Sequence, residues 1–247
     1  MGITKSNGEK SPIVIFAYKR AKHLTQLFES LIKNKDYEAS TIYIFIDGIK
    51  NYSDNQGRSA VLDVVNKFSN DQTEIQINKK NLGLAENITQ GLDYVFARHE
   101  TAIILEDDLI IGDNFLEYMN KSLNVHRFSA NIWHISGWTP IDVNNGCDIY
   151  ISQAMFCWGW GTWRDRWQHF KRENSSKYIS REKVYRLNYE NSFLVWDQII
   201  QNQVGLKKTW AAFWALTIFQ NNGYCVNPRC SLVYNNGLDG TGENSLT

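Results

Sequence analysis

An excess of charge of one sign is the first thing missing. Twenty-six basic and 26 acidic side chains leave a formal net charge of zero over 247 residues, which excludes the broad basic face that nucleic-acid binding needs. No apolar run approaches the roughly 20 residues that span a bilayer. Residues 1–11 are polar and lack the apolar segment of a secretory signal. Gly2 and Ser6 fit a short myristoylation pattern, which is a weak signal. Cysteine is sparse: Cys147, Cys157, Cys225 and Cys230 show no CxxC spacing, so reduced thiols in a cytosolic protein are expected. The N-x-S/T sequons beginning at Asn51, Asn87, Asn120 and Asn174 then read as chance. No G-x-G-x-x-G follows the first apolar run, and no G-x-x-x-x-G-K-S/T occurs anywhere. Dinucleotide and P-loop readings therefore lose their main support, and a diphosphate must be held by a metal and by isolated basic groups. No repeat, low-complexity block or linker is visible. The expectation is a single domain, with residues 1–110 binding the nucleotide and residues 111–247 the acceptor, around one core.

The first half alternates strand and helix. Residues 12–18 form a continuous apolar run, as a buried parallel strand does. Leu24, Leu27, Phe28, Leu31 and Ile32 recur at helical spacing. Further strands are expected at residues 41–46, 74–77 and 101–105, with helical stripes at 61–68 and at Leu84, Ile88, Leu92 and Val95 between them. This alternation predicts an α/β fold, a mostly parallel sheet with helices on both faces. Ligands bind beyond the carboxyl ends of such strands, and Tyr18, Asp47, Asn81 and Asp107 all fall on that edge. The second half is less regular. Residues 131–135 and 148–151 are expected strands. A helix is expected over 163–170, with Trp163, Trp167 and Phe170 on one face, and another carries Trp210, Phe213, Trp214, Thr217 and Ile218. Residues 235–247 are expected to be loop.

Glu106-Asp107-Asp108 stands at the end of the fourth apolar run. Three carboxylates between apolar stretches repel one another and resist desolvation unless a positive group compensates. A hard divalent cation, Mg²⁺ or Mn²⁺, suits such oxygen ligands, although an acidic cap for the following helix fits the same residues. Lys19, Arg20 and Lys79 are candidate diphosphate contacts, or solvated surface cations. Asp47 fits a hydrogen-bond acceptor for a base or ribose, or a turn residue before Gly48. In the aromatic block that starts at Phe156, Trp158 or Trp160 is expected to stack on a sugar, and Gly159 or Gly161 to let backbone approach the substrate. Arg164, Arg166, Lys171 and Arg172 read as a solvated face, with a membrane or a phosphate-bearing lipid acceptor as the alternative.

Several segments together resemble the GT-A-fold glycosyltransferases. The best local likeness is to the N-acetylglucosaminyltransferase I family and similar bacterial enzymes of polysaccharide and O-antigen synthesis. Residues 13–20 resemble that family's first strand. Glu106-Asp107-Asp108-Leu109 with Phe115-Leu116-Glu117-Tyr118 resembles its metal motif and following helix. Ile135-Ser136-Gly137-Trp138 and Phe156-Cys157-Trp158-Gly159-Trp160-Gly161 resemble later segments, and Val195-Trp196-Asp197 resembles the segment bearing its base. The resemblance implies Asp108 as the metal ligand for Mn²⁺ or Mg²⁺, with Glu106 and Asp107 supporting the metal or touching donor sugar and ribose. It implies Asp47 reading uracil, and Asp197 as the general base of an inverting transfer from a UDP-sugar to a glycan or lipid-linked acceptor. Ala17, Tyr18, Arg20, Lys79, Asn81, Gly159 and Trp160 complete the expected donor site. The family's late histidine is absent: the last histidine is His169, and the tail offers Asp239 and a possible glycine-bearing lid. Asp142 and Glu190 are weaker candidate bases. The implied location is cytoplasmic, at most peripheral to the membrane. A sugar-nucleotide pyrophosphorylase and a non-catalytic nucleotide- or glycan-binding module stand as alternatives. The first of these wants a glycine-rich loop where Ala17-Tyr18-Lys19-Arg20 has none.

Overall fold

Four strands form the sheet's first half. They are β1 (Ile13–Ala17), β2 (Ile42–Ile46), β3 (Thr73–Ile77) and β4 (Thr101–Glu106), with α1 (Ala21–Leu31), α2 (Asn55–Phe68) and α3 (Leu84–Phe96) between them. These elements come from a computed structural model of the chain, which describes residues 10–141, 146–172 and 179–240. The second half runs β5 (Leu109–Ile111), α4 (Phe115–Val125), β6 (Ile132–Ser136), β7 (Ile149–Ser152), β8 (Trp160–Trp163), α5 (Arg164–Trp167), α6 (Arg181–Leu187), α7 (Val195–Gln203), α8 (Ala211–Gln220), β9 (Tyr224–Pro228) and β10 (Val233–Asn235).

The large sheet has the order β3-β2-β1-β4-β8-β6-β9-β7. From β3 to β4 it is parallel, as is the β6–β9 pair. The strand β8 enters antiparallel between β4 and β6, and β7 closes the edge antiparallel to β9. A separate two-stranded sheet pairs β10 with β5.

Both faces of the sheet are covered at β1, β2 and β4, which is why those strands are almost wholly apolar, whereas the edge strand β3 alternates and is only half-buried. Ile13, Ile15, Ile42, Ile44, Ile103 and Leu105 pack into one cluster with α1 and α4. The alternate residues Val14, Phe16, Tyr43, Phe45, Ala102 and Ile104 pack into another, with α3 and five tryptophans of the second half. This is the period-two geometry of a strand buried on both sides. The helix α8 is apolar all round, as a sandwiched helix is. Trp214 and Ile218 face the sheet, while Phe213 and Leu216 face a third cluster with Val195 and Ile199 of α7. That layering sets α7 against the rim where the parallel strands end.

The region expected to be one helix over 163–170 divides. Trp163 ends a strand and only Arg164–Trp167 is helical. Residues three apart on a strand point to opposite faces, so Trp163 joins the first cluster and Trp160 the second. The basic stretch is also tied down. Arg166 is buried and donates to the carbonyls of Arg127, Ser129 and Ile132, and Arg164 and Arg172 pair with Glu100 and Glu86 at 2.9 Å. The four cysteines are not joined in disulfides. No helix among the described residues is long and apolar enough to cross a membrane. Gly2, Ser6 and Asp142 lie outside the described residues.

Candidate active site

The carboxyl ends of β1, β2 and β4 open onto a cavity of about 370 Å³, within the range of small-molecule sites. The parallel register makes this rim: Phe16 of β1 lies beside Glu106 of β4, and Ala17 beside Ile46 of β2. Glu106 ends β4, and Asp107 and Asp108 form the turn to β5.

Arg20, at the start of α1, reaches across this turn. Its Nη2 donates to Asp107 Oδ1 and, at 2.9 Å, to Asp108 Oδ2. The backbone N–H of Tyr18 donates to Asp107 Oδ2 at 3.3 Å. Burial by itself would lower the Arg20 pKa, but Asp107 and then Asp108 more than offset it and hold it raised. Burial pushes Asp107 up. Burial, with Asp108 and Asp107 adding, pushes Glu106 up to about 8. One guanidinium among three carboxylates thus leaves the turn short of positive charge.

A second network fixes the β1–α1 loop. Asp54 accepts from Lys19 Nζ at 2.6 Å, from Tyr18 OH at 2.8 Å and from Asn51 N–H at 3.1 Å. The Lys19 and Tyr18 bonds pull its carboxyl down to about 2. Asp47 is committed to the protein's own loop. Its Oδ1 accepts from Gly48 N–H, Leu82 N–H and the Asn78 amide, and its Oδ2 from Gly83 N–H and the Asn81 amide, all within 3.3 Å. A carboxylate offers about four lone-pair sites, so the expectation that Asp47 reads uracil directly gives way to a buried acceptor that shapes the 78–83 loop. Gly48 is held to glycine by the same fold: a Cβ there would lie 2.2 Å from the Lys80 carbonyl carbon.

The chain's end returns to the triplet. The pairing of β10 with β5 carries Asn236 N–H to the Asp108 carbonyl at 2.8 Å, and a Cβ on Gly237 would lie 2.2 Å from Asp108 Oδ2. His23 Nε2 sits 3.2 Å from both the Asn236 carbonyl and Asp239 Oδ2. Of the tail expected as loop, Asn235 ends β10, residues 236–240 are loop held beside α1 and the acidic turn, and residues 241–247 lie outside the described residues.

Of the residues singled out from sequence, Ala17, Tyr18, Arg20, Asp47, Asn81, Glu106, Asp107 and Asp108 all line the cavity. Lys79 does not; it is exposed. Trp160 is 1% exposed, stacked between His134 and Trp210 in the core, so its expected sugar contact is replaced by packing. Gly159 also lies off the cavity. Its φ is +61°, and a Cβ would come within 2.8 Å of Val233 and 3.0 Å of Phe115, so it serves close packing. Trp158, the other aromatic weighed, does line the cavity, beside Cys157, whose thiol burial pushes up to about 12. Asp197 is exposed in the first turn of α7. Its neighbour Gln198 lines the cavity, together with Lys207 and Lys208 of the α7–α8 loop. Those three were missed: a polar helix position and two adjacent lysines read as solvated surface. Glu190 is exposed and lies off the cavity.

Among the described residues, no three His, Cys, Asp or Glu side chains converge closely enough to hold a metal by themselves. The donor chemistry still fits a hard cation that takes its remaining ligands from a diphosphate: the ligands are all oxygen, Asp108 faces the cavity, and the turn lacks positive charge.

A nucleotide-sugar transferase is the class that this rim and triplet define. A sequence model of glycosyl transferase family 2 matches residues 13–186, and the chain belongs to that family. It is a GT-A-type glycosyltransferase. Among solved structures it is similar to a cytidylyltransferase from Leptospira borgpetersenii serovar Hardjo-bovis, at 12% identity, covering 74% of this chain and 72% of that chain, with a TM-score of 0.42. It is also similar to a mannosyltransferase from Pyrobaculum calidifontis in complex with GDP-Man and Mn²⁺, at 9% identity, covering 86% of this chain and 69% of that chain, with a TM-score of 0.44.

Proposed function

We propose that the chain transfers a sugar from a UDP-sugar to a hydroxyl of a glycan or lipid-linked glycan, with inversion, in surface-polysaccharide assembly at the cytoplasmic face of a membrane. The observation that carries this is the meeting of Arg20, Glu106, Asp107 and Asp108 on one cavity wall at the ends of parallel strands. In this reading residues 1–110 hold the donor and the rest of the chain the acceptor. Asp108 holds Mn²⁺ or Mg²⁺, which when bound supplies Lewis-acid stabilisation of the leaving diphosphate. Arg20 keeps Asp107 and Asp108 oriented, and Asn81 and the 78–83 loop, shaped by Asp47, border the nucleotide. Trp158 offers an apolar face to the sugar. Asp197, one residue before Gln198 on α7, takes the proton of the acceptor hydroxyl as the new bond forms. A hydroxyl of high pKa needs a base only at that point, so a carboxylate within hydrogen-bond reach suffices.

Calorimetric titration with UDP, in Mn²⁺ and in EDTA, tests the donor half of this reading. Binding is expected with Mn²⁺ and lost in EDTA and in Asp108→Ala; equal affinity in both buffers overturns it. For the acceptor half, Asp197→Asn is expected to lower turnover by about 10²-fold or more with UDP affinity unchanged. Undiminished turnover removes Asp197 as the base.

A further inference from the structure

Asp47 does more than shape its loop: it fixes which way three side-chain amides point. The two ends of an amide differ, since its oxygen only accepts and its nitrogen only donates. Asn81 Nδ2 donates to Asp47 Oδ2 at 3.1 Å and to the Gly48 carbonyl at 2.7 Å. A carboxylate and a carbonyl can only accept, so both hydrogens of this amide are used and Asn81 Oδ1 is left over. Asn78 Nδ2 donates to Asp47 Oδ1 at 3.3 Å and to Asn87 Oδ1 at 2.9 Å. Its nitrogen must face the carboxylate, so Asn87 must turn its oxygen to Asn78 and keep its own NH₂ group free.

Both left-over ends belong to residues of the cavity wall. Asn87 is 3% exposed. Neither Asn81 Oδ1 nor Asn87 Nδ2 has a hydrogen-bond partner among the described residues. An N–H buried without an acceptor is costly, and a ligand that brings an acceptor removes the cost. The cavity thus holds one fixed acceptor and one fixed donor, both set by the same aspartate.

Their place along the rim says which part of a nucleotide they meet. Asp47 follows β2 and the triplet closes β4, with β1 between them in the sheet. Two strand spacings are about 10 Å, the reach from a diphosphate across its ribose to the base. A diphosphate held at Asp108 sets the base beside Asn81 and Asn87.

We propose that these two amides read the base of the donor. Asn81 Oδ1 accepts from uracil N3–H, Asn87 Nδ2 donates to a carbonyl oxygen next to it, and Asp47 is the positioning residue that holds both. The proposal rests on the UDP-sugar reading above and names the groups that select its base. Cytosine carries no hydrogen at N3, so its ring nitrogen and Asn81 Oδ1 would meet as two acceptors.

The test is calorimetric titration of the whole chain in Mn²⁺ with UDP, CDP, GDP, N3-methyl-UDP and ribose 5-diphosphate, which has no base. UDP is expected to bind about tenfold or more tighter than CDP or N3-methyl-UDP, the range for one hydrogen bond lost or opposed. Asn87→Leu, close in size and without a donor, should weaken UDP by about tenfold and leave ribose 5-diphosphate unchanged. Asp47→Asn should narrow the preference for UDP over CDP, whereas a merely structural role would weaken both nucleotides alike. If CDP or N3-methyl-UDP binds as well as UDP, the base reading falls and the UDP donor stands. If Asn87→Leu weakens ribose 5-diphosphate as much as UDP, Asn87 serves the fold or the phosphates and the assignment falls. Guanine also has an N–H beside a carbonyl, so a preference for GDP that Asn87→Leu removes would keep the amide pair and strike the uridine donor alone. Binding of no nucleotide strikes both.

Discussion

Arg20 lies between Asp107 and Asp108 with only 18% of its side chain exposed, so its charge has no ready substitute from water. Arg20→Gln is expected to cost about 3 kcal/mol in urea unfolding, as breaking a largely buried ion pair does. Millimolar Mn²⁺ should restore more stability to this variant than to the native chain, because a cation that binds only the folded turn stabilises by mass action. Equal response of the two proteins to Mn²⁺ would sink the claim that the triplet is short of positive charge. His134 is fixed in one neutral tautomer. Its Nδ1 accepts from Trp214 Nε1 at 3.2 Å, so Nε2 donates to the Phe156 carbonyl at 2.9 Å. Burial lowers its pKa from 6.5 to about 4. The unfolded chain therefore takes up this proton more readily than the folded one. The contribution is complete above pH 6.5 and is lost as pH falls towards about 4, up to about 3 kcal/mol for this site. Urea unfolding at pH 7 and pH 4.5 should show a smaller loss in His134→Gln than in the native chain; parallel losses would remove His134 as the cause.

At the scale of elements, the turn between α6 and α7 holds three left-handed non-glycine residues in a row, the longest such run among the described residues. Tyr189, Glu190 and Asn191 have φ of 49°, 58° and 64° in succession, a left-handed run that costs non-glycine residues roughly 1 kcal/mol or more each. Glycine sheds that cost and gives part of it back as unfolded-state entropy. Glu190 is exposed, so Glu190→Gly is expected to stabilise the protein by about 0.5 kcal/mol; a loss of stability would mean the side chain is engaged. The strands β1 to β4 and the helices α1 and α3 were legible because their apolar periods are complete within one segment. Trp160-Gly161-Thr162-Trp163 was not. Its tryptophans face opposite sides of the sheet, and Gly161 is demanded by a neighbour far along the chain, where a Cβ would lie 3.0 Å from the Ala102 carbonyl. A short run with large residues three apart fits a helix as well as a strand, and only the β4–β8 pairing separates the two.

For the whole molecule, the strand-end wall of the cavity gathers residues from β1 to β4, and residues 236–239 are bound to it through β5, Asp108 and α1. Binding there should therefore tighten the entire fold. UDP with Mn²⁺ at about 100 times its Kd is expected to raise the unfolding free energy by about 2.7 kcal/mol, and EDTA to abolish the gain; unchanged unfolding would remove nucleotide binding from this cavity. Ala17, Tyr18, Lys19, Arg20, Asp47, Glu106, Asp107 and Asp108 reached the cavity because they stand where a continuous apolar run turns polar, which marks a strand's carboxyl end within the sequence itself. Trp160 and Gly159 did not, because aromatic and glycine residues serve a core as readily as a ligand. Gln198, Lys207 and Lys208 carried no local signal at all.

The sequence by itself determined the α/β alternation, the parallel half of the sheet and the acidic turn at its rim, since periodicity and desolvation act on neighbouring residues. Tertiary structure alone decided that β8 enters antiparallel beside β4, that Asp47 spends its oxygens on its own loop, that Asn236 closes on Asp108, and that Lys207 and Lys208 share one cavity with the triplet. Hydrogen-bond ladders and cavity walls join segments far apart in the chain, and no local pattern names the partner.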